Sequence, residues 1–86
     1  MTPDAFKKRL CNKKACNYIY KSGGLEGLVA VWKNEGQVIL TWEECPEGQQ
    51  YDESTYTRDE RYVFSGIDDL LAFFDKNGLN ANQFSP

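Results

Sequence analysis

The side chains able to act on another molecule are concentrated between residues 43 and 60. Glu43, Glu44, Glu47, Asp52, Glu53, Asp59 and Glu60 stand there against Arg58 alone, a net charge of −6 over the stretch. Tyr51 and Tyr56 lie among these acids. A tyrosine offers an apolar ring whose face attracts cations, so rings set among carboxylates suit a basic protein surface. Glu43, Glu44, Glu47, Tyr51, Asp52, Glu53 and Tyr56 are therefore the candidate protein-binding residues. Charge of the opposite sign collects at the start of the chain. Lys7, Lys8, Arg9, Lys13 and Lys14 face only Asp4 there, a net of +4. Contact of these five with nucleic-acid phosphates is the alternative reading. The overall charge of −3 works against it. Separated fields of opposite sign steer partners toward one end of a molecule.

Other chemistries are poorly served. The chain has no histidine, which removes Ser-His-Asp and Cys-His arrangements and the commonest general base at neutral pH. There is no phosphate loop, no G-x-G-x-x-G and no G-x-S-x-G. The carboxylates lack the spacing of a calcium loop. Cys11, Cys16 and Cys45 are an odd number without a secretory signal, which favours reduced thiols. The expectation is a non-enzymatic protein with no metal and no cofactor. MTPDAFKKRL lacks the apolar segment of a signal peptide, and no apolar run approaches the roughly 20 residues of a membrane span. A cytoplasmic protein without membrane contact is expected.

The elements that must carry these residues can be read from periodicity. Residues 2–14 suit a helix, with Thr2 as N-cap, Pro3 in the first turn and a thin stripe of Ala5, Phe6 and Leu10. Residues 16–21 alternate as a strand. GLVAVWKNEGQVILTW, residues 27–42, suits a β-hairpin with a three-residue loop over Asn34, Glu35 and Gly36. That loop would pair Trp32 with Val38 and put Leu28, Ala30, Trp32, Val38, Leu40 and Trp42 on the core face. Val29, Val31 and Ile39 would then lie on the second face, a candidate for self-association. The protein would be a monomer or a homodimer accordingly. Residues 43–55 suit a long polar loop, 56–64 a strand with a charged first half, and 65–77 a helix capped by Ser65.

Residues 62–79, YVFSGIDDLLAFFDKNGL, resemble the strand and last helix of SH2 domains. That family's phosphate-binding arginine has no counterpart, since residues 16–42 hold only Lys21 and Lys33 as bases. The order α-β-β-β-β-α implies an α+β two-layer sandwich: an antiparallel sheet of about four strands with an N-terminal and a C-terminal helix on one face. Residues 1–79 would form the single domain and 80–86 a loose C-terminal tail. The function expected is a small protein-binding module, an inhibitor or accessory factor that docks a protein partner with a basic surface.

Overall fold

The computed structural model describes residues 1–86. The elements are α1 (Pro3–Cys11), β1 (Cys16–Ser22), β2 (Leu25–Asn34), β3 (Gln37–Pro46), β4 (Arg58–Phe64) and α2 (Ile67–Asn77), with short 3-10 turns at Glu53–Thr55 and Ala81–Gln83. The four strands form one antiparallel sheet in the order β1-β2-β3-β4. Both helices cover the same face of it. Phe6 and Leu10 of α1 and Leu70 and Phe74 of α2 join Val29, Val31, Val38, Leu40 and Trp42 in one core. The two-layer α+β architecture is therefore as expected.

Local chemistry sets the helix ends. The Thr2 hydroxyl accepts the Ala5 amide at 3.2 Å, with Pro3 behind it in the first turn. α1 stops at Cys11 rather than residue 14 because Lys13 turns left-handed, at φ 61°. Arg9 Nε then donates to the Ala15 carbonyl at 2.8 Å and fixes the link to β1. α2 starts one residue late for Ser65 to cap it. Gly66 holds the N-cap position, and the Ser65 hydroxyl instead donates to Asp69 at 2.7 Å. At the other end Gly78 is left-handed, and the Leu79 amide returns to the Phe74 carbonyl at 2.9 Å.

The central hairpin differs from expectation in its turn. The loop is two residues, Glu35 and Gly36, both at positive φ (52° and 80°), with Asn34 opposite Gln37. Such a turn twists with the strands, whereas the ordinary type I turn splays them. The consequence is a one-residue slip of β2 against the expected register. Val31 pairs with Leu40 and Val29 with Trp42. Val29 and Val31 are 0 % exposed in the core, so they are not on a solvent-facing surface. Leu28, Ala30 and Trp32 take the second face, beside Ile39. β3 keeps its expected orientation, with Val38, Leu40 and Trp42 inward.

Residues 80–86 are also corrected: they are not a loose tail. Phe84 is 1 % exposed, with its ring 5.4 Å from Phe6 and stacked at 5.2 Å on Phe74. Asn80 and Gln83 cap the last turn reciprocally. Ser85 exchanges two backbone hydrogen bonds with Asn17, both 2.8 Å, and so covers part of the β1 edge. The Met1 amino group donates to the Phe84 carbonyl at 2.9 Å. A single aromatic side chain thus closes the gap between both helices and the sheet.

Candidate functional site

Alternation along the strands splits the acidic end of the sheet into two faces. The helix-side face holds Tyr20, Trp42, Glu44, Arg58, Glu60 and Tyr62, in register across β1, β3 and β4. The Tyr20 hydroxyl donates to Glu44 at 2.6 Å and accepts from Trp42 Nε1 at 2.9 Å. Gly27 makes this possible, because a Cβ there would collide with the Tyr20 ring. Arg58 lies 3.6 Å over the Trp42 ring and donates through Nε to Glu60 at 2.9 Å. The Tyr62 hydroxyl donates to the same Glu60 oxygen at 2.6 Å. That bond and the guanidinium hold the Glu60 carboxyl below its ordinary range. Burial and the bond to Glu44 raise the Tyr20 phenol. This network joins its own acids, base and phenols to one another.

The other face carries no helix, and two of its acids, Glu43 and Asp59, lack such partners. Ile19, Leu28, Glu43 and Asp59 form one row across the four strands, with Glu26 and Cys45 in the next. Tyr56 and Gln50 from the connecting loop close over this end, leaving a recess of about 310 Å³. Its floor is apolar, from Ile19, Leu28 and the buried Cys45, and its rim carries Glu26 and Glu43. Glu43 stands directly opposite Asp59. Neither makes a side-chain hydrogen bond or ion pair. Like charges paired across strands repel. Tyr56 registers the field: burial raises its phenol, and the charges of Glu43, Glu53 and Asp59 raise it further. Glu26 is 3.5 Å from Lys21, which also reaches Glu47 at 3.3 Å. Ile19 and Val63 are 74 % and 52 % exposed on this face.

The segment from Glu47 to Thr57 is built by its own hydrogen bonds. Asp52 accepts from the Ser54 amide at 3.1 Å and from its hydroxyl at 2.5 Å. The Tyr56 hydroxyl donates to the Gln50 carbonyl at 2.6 Å, and the Thr57 amide to the Glu44 carbonyl at 2.8 Å. Tyr51 at the tip is 93 % exposed.

Of the seven acidic-surface residues expected from the sequence, six gather at this end: Glu43 and Tyr56 at the recess, and Glu47, Tyr51, Asp52 and Glu53 beyond it. Glu44 also lines the recess, but its carboxylate is engaged by the Tyr20 hydroxyl on the helix side and by the Thr57 hydroxyl. Asp59 and Glu26 are site residues the sequence reading did not single out, and only the register places them beside Glu43. Ile39 does lie on the second face, but it is 3 % exposed between its neighbours. Lys7, Lys8, Lys13 and Lys14 are exposed, while Arg9 is committed to Ala15. Cys11 is exposed, and burial raises the thiols of Cys16 and Cys45. No helix is long and apolar enough to cross a membrane. In comparison with known protein families, curated proteins and solved structures, the chain matches none.

Proposed function

We propose that this protein is a non-enzymatic binding module that docks a protein partner with a basic surface. The partner sits where the uncovered sheet face meets the acidic 47–57 segment. The observation that carries this reading is the Glu43–Asp59 pair. Two acidic residues stand opposite each other on neighbouring strands, and neither makes an ion pair. That arrangement costs stability in the isolated chain and is relieved by positive charge from outside. The acids around it extend the same field, and fields of one sign speed the approach of an opposite one. Exposed Ile19 and Tyr51 add apolar area, with the ring able to serve as an anchor. An inhibitor or an accessory factor would both use such a surface.

The test is affinity purification from the native host by wild type and by a Glu43→Gln, Glu47→Gln, Asp52→Asn, Asp59→Asn variant. A basic protein recovered by the wild type and lost from the variant is the expected result. Recovery of the same proteins in equal amounts by both would refute the reading.

A further inference from the structure

We propose that the recess is the seat of one arginine side chain of the partner. The arginine stem lies on Ile19 and Leu28, and its guanidinium reaches Glu43 beside Tyr56 at the rim, with Asp59 opposite Glu43 on β4 outside the recess lining. This inference rests on the binding reading above and names what the surface takes.

The recess combines an apolar floor with a carboxylate rim in about 310 Å³. A long side chain with an apolar stem and a cationic head satisfies both parts. An apolar side chain would desolvate Glu43 without pairing it, and a small cation would leave the floor uncovered. Asp59 stands opposite Glu43 on the neighbouring strand, and a planar fork presents several N–H donors to carboxylates where an ammonium is a point charge.

The molecule itself displays the filled version on the opposite face. There Arg58 lies 3.6 Å over Trp42 and binds Glu60 at 2.9 Å. On the open face β3 and β4 present Glu43 and Asp59, with Tyr56 near by, and no base pairs with either acid. Arg61, one row along β4 on this face, makes no ion pair. Lys21 is engaged with Glu26 and Glu47.

The test is a fluorescence-anisotropy titration at low salt. The probe is a labelled peptide with one central arginine flanked by valines, compared with the same peptide carrying neutral citrulline. Both are titrated with the wild type, with Glu43→Gln/Asp59→Asn, and with Glu47→Gln/Asp52→Asn/Glu53→Gln, each checked for native circular dichroism. The wild type should prefer arginine by about tenfold, the scale of a charge-assisted hydrogen-bond pair. The Glu43/Asp59 variant should lose the preference and the Glu47/Asp52/Glu53 variant should keep it. Equal affinity of the wild type for both peptides would overturn the inference. A preference lost only in the Glu47/Asp52/Glu53 variant would also overturn it, while leaving the binding reading in place.

Discussion

Replacing Phe84 with alanine tests whether residues 80–86 belong to the domain. Phe84 is 1 % exposed and touches the Phe6, Phe74 and Tyr18 rings at centroid distances of 5.4, 5.2 and 5.8 Å. Truncating a core phenylalanine removes its transfer free energy and leaves a cavity, a loss of about 3–5 kcal/mol. The Ser85–Asn17 bonds and the Met1–Phe84 bond depend on the same docking, so the upper half of that range applies. Small domains are only about 5–15 kcal/mol stable, and a urea slope near 1 kcal/mol per molar is ordinary at this size. The urea midpoint should therefore fall by roughly 4 M, or the variant should begin partly unfolded. Phe84→Leu keeps most of the volume and should lose roughly 1 kcal/mol, which preserves a readable transition. Urea unfolding followed by Trp fluorescence measures both variants, since Trp42 lies in the same core. A Phe84→Ala loss under about 1 kcal/mol, with the slope unchanged, would refute the docked tail.

Four further outcomes follow from particular contacts. Glu35→Asn should raise stability by roughly 0.5–1 kcal/mol, seen as a few degrees in thermal melting, because Glu35 sits at φ 52° where asparagine is better tolerated. Gly27→Ala should destabilise by about 1–3 kcal/mol in urea unfolding, since the new methyl displaces the Tyr20 ring from Trp42 and Glu44. Asp59→Asn should stabilise the free protein by a few tenths of a kcal/mol at low salt, and added salt should erase the gain. Glu60→Gln should destabilise by the order of 1 kcal/mol at neutral pH, after allowance for solvent screening of this partly exposed group. The Glu60 carboxyl is held below its ordinary 4.5 in the folded state. Its contribution is therefore fully present above that value and is lost as pH falls through the lowered folded one. The wild-type and Glu60→Gln unfolding curves should converge in acid, and a gap that stays constant at low pH would contradict the network.

The sequence by itself determined the layer architecture. The helix periods, the capping residues and the order of strands needed only local information, and these fix how many elements exist and which helix stripe is apolar. Charge polarity was equally legible, since it is a property of composition. The face of β2 was not. GLVAVW is apolar at every position, so alternation cannot say which set points inward, and the choice falls to the turn. One residue more or less in that loop exchanges Val29 and Val31 with Leu28, Ala30 and Trp32. The tail hid for a different reason. Phe84 is a lone aromatic among polar residues, and its partners Phe6 and Phe74 come from the two helices, Phe6 78 positions away. The Asn80–Gln83 capping pair was the one local sign that the segment is ordered. The acidic surface needed both kinds of information. Composition supplied the carboxylates, but only strand pairing sent Glu44 and Glu60 into a network with Tyr20, Arg58 and Tyr62 and left Glu43 opposite Asp59. Side chains two apart share a face and side chains one apart do not. Tertiary structure thereby decided which acids are hydrogen-bonded or ion-paired within the chain and which are not.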